Sequence, residues 1–144
     1  MSIYGASKVQ KESIGTIYDN WNYNLNYKLM NYNLEQLKPE LVWKHFKAIC
    51  QIPHPSHHEE KIREYVVEFA KAHNLEYSVD EACNVYIAKP ATSGYEGRKG
   101  IVLQAHLDMV PQKNNDKVFD FENDPIEAYI DGEWVTANGT TLGA

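Results

Sequence analysis

This 144-residue sequence has little cysteine, little positive charge and no long apolar run. The two cysteines, Cys50 and Cys83, lack CxxC spacing and indicate free thiols of a cytoplasmic protein rather than a disulfide framework. Because no run approaches the roughly 18 apolar residues of a membrane span, we expect no membrane-spanning segment. A basic region followed by an apolar one is missing at the N-terminus, so we also expect no secretory signal.

Acidic residues outnumber basic residues, which argues against nucleic acid as a partner. The chain has 14 Lys and Arg against 20 Asp and Glu, giving a formal net charge of −6. Binding a phosphate backbone needs a basic face, and this balance does not supply one. The hydrophobic fraction of 43% is too high for a wholly disordered chain. The length suits one domain of ordinary size.

Residues 1–34 differ in composition from the rest of the chain. Residues 18–33 read YDNWNYNLNYKLMNYN and are dense in asparagine and tyrosine. Asparagine is a poor helix former and is depleted from strands, so we predict a disordered extension. A marginal helix through Leu25, Leu29 and Tyr32 is one alternative. A surface that stacks bases is another, but Lys28 is the only positive charge in that stretch.

Two helices are predicted at the start of the second segment, residues 35–144. Val42, Phe46 and Ile49 recur at helical spacing and predict a helix over about 39–51. Prolines at 53 and 55 forbid its continuation. A second helix over about 56–73 is predicted to begin with a capping box formed by Ser56 and Glu59.

Strands are predicted after these helices, so the expected fold class is α/β. Residues 75–79 alternate in polarity, and residues 85–88 are strand formers. The apolar start of residues 101–106 predicts a strand buried on both faces. Residues 126–136 contain Asp-Gly between strand formers, a strong hairpin signal. We therefore expect helices packed on a mixed β-sheet.

The most informative polar pair is His106 and Asp108, where the predicted buried strand ends. Side chains two residues apart on a strand share a face, so the carboxylate can meet the imidazole. A carboxylate that orients a histidine is the usual partner of a metal-bound imidazole. The pattern also fits a polar pair that closes a strand end, with Asp108 accepting hydrogen bonds from turn N–H groups.

A second histidine-rich segment offers an alternative site. His54, His57 and His58 precede Glu59 and Glu60, and such residues can bind a metal. A site for one metal ion or a small molecule, built from these histidines and His106, is a further alternative. The segment also reads as a helix start, where acidic side chains favour the helix dipole. Adjacent histidines on a helix point about 100° apart, which weakens the metal reading.

Residues 104–114, which read QAHLDMVPQKN, resemble a known enzyme family. The sequence is similar to the aminoacyl-histidine dipeptidases, bacterial cytosolic non-specific dipeptidases also called peptidase D. They belong to the zinc peptidases that include peptidase T. The resemblance spans about residues 35–144, and residues 1–33 have no recognised counterpart. Further similar stretches lie at residues 49–56, 58–60, 89–92, 120–121, 124–126, 129–135 and 139–144.

This resemblance implies a cytoplasmic hydrolase of dipeptides, including those that end in histidine. It implies a two-zinc site, with manganese or cobalt as possible substitutes, that activates water for attack on the peptide bond. His106 matches the family's first metal ligand, and Asp108 matches the catalytic carboxylate that orients it. Other cofactor-binding residues are not implied, and substrate-binding residues are unassigned. The resemblance also implies homodimers formed through a second domain, for which we expect no counterpart within these 144 residues.

The resemblance also implies that this chain is an N-terminal portion of such an enzyme. In the family, the position after the one matching Ala144 is an aspartate that bridges the two metals. The general-base glutamate and the remaining ligands lie further on. We therefore expect a truncated catalytic domain that is inactive alone. The alternative is a non-catalytic binding or interaction protein derived from the fragment.

Overall fold

The computed structural model describes residues 33–143. Of the proposed extension over residues 1–34, only the last two positions fall in this range, so its disorder stays a prediction. Leu34 begins a short 3-10 helix, Leu34–Gln36, and its side chain is buried in the main hydrophobic cluster.

The first helix lies where the sequence predicts it. Helix α1 spans Glu40–Cys50 and follows Pro39, whose extended backbone starts the helix. It ends just before the proline-containing segment at residues 52–55. Prolines at 53 and 55 keep that segment out of a helix, as expected.

The second helix begins later than predicted, and the prediction of a capping box at its start is wrong. Helix α2 spans Glu60–Ala72, and its start has no side-chain cap. His57 has a φ of 73°, a left-handed conformation that a continuous α-helix excludes. The Glu59 carboxylate accepts a hydrogen bond from the backbone N–H of His57 instead, at 2.7 Å. The Ser56 hydroxyl does not cap the helix and donates a hydrogen bond to the Asp108 carboxylate.

Two antiparallel hairpins form the sheets of the described chain. Strands β1 (Glu76–Val79) and β2 (Val85–Ala88) pair with Glu76 opposite Ala88, and helix α2 packs against both. Strands β3 (Ala128–Asp131) and β4 (Trp134–Ala137) pair with Asp131 opposite Trp134. Gly132 opens the tight turn with a φ of 59°, which glycine adopts without strain. The predicted hairpin over 126–136 is therefore confirmed.

The α/β class is confirmed, but the predicted mixed sheet and its strand over 101–106 are wrong. Residues 33–143 form two separate two-stranded sheets, and residues 101–106 belong to neither. The side chains of Ile101, Val102 and Leu103 are 86%, 88% and 92% exposed. Within residues 33–143 no other segment forms a backbone hydrogen bond with residues 101–107. A strand buried on both faces needs paired neighbours and covering layers, and the described residues supply neither.

The hydrophobic core joins segments that are distant in sequence. Its buried residues are Leu34, Cys50, Met109, Ile126 and Ala128. They come from the 3-10 helix, the end of α1, the loop after Asp108, the segment before β3 and the first residue of β3. Burial raises the pKa of the Cys50 thiol to about 11, which leaves it protonated at neutral pH. The core thus anchors the loop that carries the candidate site.

None of the helices in residues 33–143 is long and apolar enough to cross a lipid bilayer.

Candidate metal-binding site

His106 and Asp108 contact each other, as their spacing predicts. The His106 Nδ1 atom lies 3.0 Å from Asp108 Oδ1 and 3.1 Å from the Asp108 carbonyl oxygen. The imidazole is 65% exposed and the carboxylate 34% exposed. With Nδ1 donating to the carboxylate, the Nε2 lone pair is the one available to a ligand. Their catalytic roles stay a prediction.

Ser56 completes the hydrogen bonding of the Asp108 carboxylate. Its hydroxyl donates to Asp108 Oδ2 at 2.5 Å, while His106 is bonded to Oδ1. The bond from Ser56, and then the bond from His106, hold the pKa of the Asp108 carboxyl below its ordinary value. The carboxylate therefore stays ionised at neutral pH and fixes the orientation of the imidazole.

Backbone pairing brings Ser56 to Asp108 across the fold. Pro55 and Met109 form an isolated parallel bridge. The Met109 N–H donates to the His54 carbonyl at 3.0 Å, and the Ser56 N–H donates to the Met109 carbonyl at 3.1 Å. Because the Met109 side chain is buried, the hydrophobic core fixes both segments relative to each other.

Sequence reasoning missed Ser56 as part of this site. It assigned the hydroxyl to a helix cap, a local role that serine often takes. The available signal was the pair of prolines around His54, since a residue before proline favours extended backbone. An extended segment has N–H and C=O groups free to pair with another segment, and this one pairs with Met109.

The alternative metal cluster is not formed. The buried imidazole of His54 contacts the Ile52 carbonyl through Nδ1, while His58 Nε2 lies 3.7 Å from Glu122 Oε1. His57 is exposed in the turn before α2. Across residues 33–143, no three His, Cys, Asp or Glu side chains are grouped as a metal would require. The reading of this segment as a single-metal site with His106 is therefore wrong.

The residues present fit one ligand position of a zinc site. An exposed imidazole, oriented by an ionised carboxylate through its other nitrogen, is the usual form of a zinc-bound histidine. A catalytic zinc takes three protein ligands. His106 can supply one of them, and Asp108 acts through His106.

An open cleft of about 700 Å³ adjoins this pair. One wall consists of residues 102–108, and the others come from α2 and the β1–β2 hairpin. Arg63 on α2 and Tyr86 on β2 also line it. The cleft therefore extends from His106 and Asp108 to the exposed apolar side chains of Val102 and Leu103.

Replacing Ser56 with alanine is expected to raise the pKa of Asp108. The variant loses the strongest interaction that favours the ionised form. A lowered carboxyl pKa contributes stability above the unfolded-state pKa, and this contribution is lost as pH falls through the folded-state value. In Ser56→Ala the loss starts at a higher pH. Carbon-13 NMR titration of the Asp108 carboxyl measures the shift. Ser93→Ala, in an exposed loop, is the control, and an unchanged Asp108 titration in Ser56→Ala contradicts the assignment.

Comparison with known proteins identifies the relatives of this chain. Over 111 residues it is 60% identical to the cytosol non-specific dipeptidase of Escherichia coli strain K12, covering 77% of this chain and 23% of that protein. The crystal structure of aminoacylhistidine dipeptidase from Vibrio alginolyticus matches with a TM-score of 0.75 and 55% sequence identity. That match also covers 77% of this chain and 23% of the other. No protein-family model matches the chain.

Both relatives are named as dipeptidases, which hydrolyse peptide bonds. The chain spans less than a quarter of the length of each. The resemblance inferred from residues 104–114 is confirmed, since the chain is similar in both sequence and fold to a 23% portion of the aminoacylhistidine, or cytosol non-specific, dipeptidases.

Proposed function

We propose that this chain supplies one metal-ligating histidine and its orienting carboxylate to a dipeptide-hydrolysing site. The observation that carries the proposal is the contact between His106 and Asp108 in a chain 60% identical to a portion of a cytosol non-specific dipeptidase. The substrates we propose are dipeptides, including those that end in histidine. By the same similarity we propose a cytoplasmic location.

Each residue of the site has a defined task in this proposal. The imidazole of His106 would bind the metal through Nε2. The Asp108 carboxylate accepts a hydrogen bond from the Nδ1–H group of His106 and so orients the ring, while the Ser56 hydroxyl donates to Asp108. Zinc is the metal we propose, with manganese or cobalt as substitutes. When bound, it would supply the Lewis acid that activates water for attack on a peptide carbonyl.

The described residues do not complete such a site by themselves. A catalytic zinc needs three protein ligands, and residues 33–143 contain no group of three. We therefore propose that the described part is inactive alone and that further ligands come from another part of a dipeptidase. The competing proposal is a non-catalytic interaction protein, which the large exposed apolar residues favour.

A covalent chimera separates these two proposals. The portion of the Escherichia coli dipeptidase that aligns with this chain is replaced by the matching 111 residues of this chain. We expect the purified chimera to hydrolyse dipeptides when zinc is supplied, and to lose activity reversibly when zinc is chelated. The unmodified Escherichia coli enzyme is the positive control. A folded chimera that shows no zinc-dependent hydrolysis would favour the non-catalytic proposal.

A further inference from the structure

We propose that Asn138 is a site of deamidation, and that the carboxylate formed there weakens the pairing of the chain that follows it. The change is covalent and needs only water as a co-reactant. It does not depend on the proposed hydrolysis of dipeptides.

The residue after Asn138 makes this position reactive. Asn138 is the only asparagine of the sequence that precedes a glycine. Because Gly139 has no Cβ, its backbone nitrogen is unhindered and can attack the side-chain carbonyl carbon of Asn138. A bond forms between that nitrogen and Cγ, the Cγ–Nδ2 bond breaks, and the proton of the nitrogen leaves with Nδ2 as ammonia. Water then opens the five-membered imide at either carbonyl and gives aspartate or isoaspartate.

The fold restrains this reaction without excluding it. Asn138 follows β4, is half-buried and lies outside the helices and strands. Its Nδ2 donates to Glu127 Oε2 at 3.0 Å, and the Gly139 N–H donates to the Ala137 carbonyl at 2.9 Å. Ring closure requires both bonds to open. Because neither belongs to a helix or a strand ladder, local motion of the backbone is sufficient to open them.

Deamidation would reverse the sign of the interaction between Asn138 and Glu127. Glu127 Oε2 accepts from Asn138 Nδ2 and also lies 3.1 Å from Lys117 Nζ. After the reaction the amide donor is replaced by a second carboxylate. Like charges this close repel each other, and a single lysine then has to compensate for two carboxylates.

The chain after Asn138 pairs with the loop that follows the candidate site. The N–H of Asn114 donates to the Gly139 carbonyl at 2.8 Å, and the N–H of Thr141 donates to the Gln112 carbonyl at 2.8 Å. Repulsion at position 138 acts next to the first of these bonds. We therefore expect both bonds to open more often in the deamidated chain.

Mass spectrometry after incubation in ¹⁸O-labelled water tests the modification. The folded, full 144-residue chain is incubated at neutral pH, returned to ordinary water and digested with trypsin. Each asparagine that deamidated during the incubation carries an added mass of about 3 Da, and fragmentation locates it.

Asn123 is the internal control for this measurement. It lies in the same tryptic peptide, and its Nδ2 also donates to a carboxylate, that of Asp120, at 2.8 Å, but it precedes an aspartate. We expect Asn138 to convert at least about 5-fold faster than Asn123 because only Asn138 is followed by glycine. Equal rates, or conversion of Asn138 confined to a sample unfolded in urea, would overturn the proposal.

Asn138→Asp tests the consequence for the backbone, since it introduces the new carboxylate directly. Amide hydrogen exchange followed by NMR is expected to be at least about 10-fold faster for the N–H groups of Asn114 and Thr141. Asn123→Asp makes the same change of charge at the control position, and we expect less than about a 2-fold change at these two groups. Unchanged exchange in Asn138→Asp, or equal acceleration in both variants, would overturn the proposed weakening.

Circular dichroism verifies that both variants are folded. If Asn138→Asp does not fold, the deamidated form of the unsubstituted chain, separated by anion exchange, is measured in its place. The same acceleration at Asn114 and Thr141 is expected there, and its absence would overturn the proposed weakening in the same way.

Discussion

Replacing His106 with alanine in the covalent chimera is expected to lower zinc-dependent dipeptide hydrolysis by at least about 10³-fold. The side chain is the metal ligand that this chain would contribute, and metal activation of a hydrolytic reaction provides several kcal/mol. The loss should appear in kcat/KM for an Xaa-His dipeptide. Asp108→Asn is expected to cost about 10- to 100-fold, the usual effect of removing a group that orients a metal ligand.

His58→Ala is the matched control for this prediction. This histidine is exposed, contacts Glu122 and belongs to the segment that sequence reasoning offered as an alternative metal site. We expect it to leave hydrolysis and bound zinc unchanged. Bound zinc, measured by elemental analysis, must fall in His106→Ala while the chimera stays folded. A His106→Ala chimera that keeps full activity would disprove the role of His106.

Replacing Met109 with alanine is expected to lower the free energy of unfolding by about 2–5 kcal/mol. The Met109 side chain is 2% exposed and belongs to the central hydrophobic cluster, so truncating it leaves a cavity. Urea unfolding of the full chain, followed by circular dichroism, measures the change. Backbone hydrogen bonds join Met109 to His54 and Ser56 and so connect this packing to the site. The Asp108 carboxylate should therefore also be less firmly oriented in the variant.

Two other substitutions calibrate the effect of Met109→Ala. Val110→Ala changes the next residue, which is 54% exposed, and is expected to cost less than about 0.5 kcal/mol. Met109→Leu preserves the volume and is expected to cost less than about 1.5 kcal/mol. Equal losses in Met109→Ala and Val110→Ala would show that Met109 does not hold the core together.

Features encoded within a few residues could be predicted from the sequence. Helix α1 follows from apolar spacing and from the prolines after it, and the β3–β4 hairpin follows from Asp131 and Gly132. The contact between His106 and Asp108 depends on a separation of two residues, and it forms even though residues 101–106 are not a regular strand. Extended backbone at residues 106–108 is sufficient for this contact between the two side chains.

Features that depend on distant partners could not be predicted. The capping role assigned to Ser56 was plausible locally, but its hydroxyl bonds to a carboxylate 52 residues further along the chain. The strand over 101–106 was predicted from apolar residues that favour a buried strand. Strand formation also requires a paired neighbour, and the described residues do not provide one.

The sequence by itself determined helix α1, the body of helix α2, strands β1 and β2, the β3–β4 hairpin, the resemblance to the dipeptidases and the pairing of His106 with Asp108. Each of these follows from periodicity, turn residues or a short motif, which act over a few residues of chain. Only the tertiary structure decided that Ser56 holds the carboxylate, that Met109 ties the site to the core and that residues 101–103 are exposed. These depend on which segments meet in space, where packing and backbone pairing override local preference.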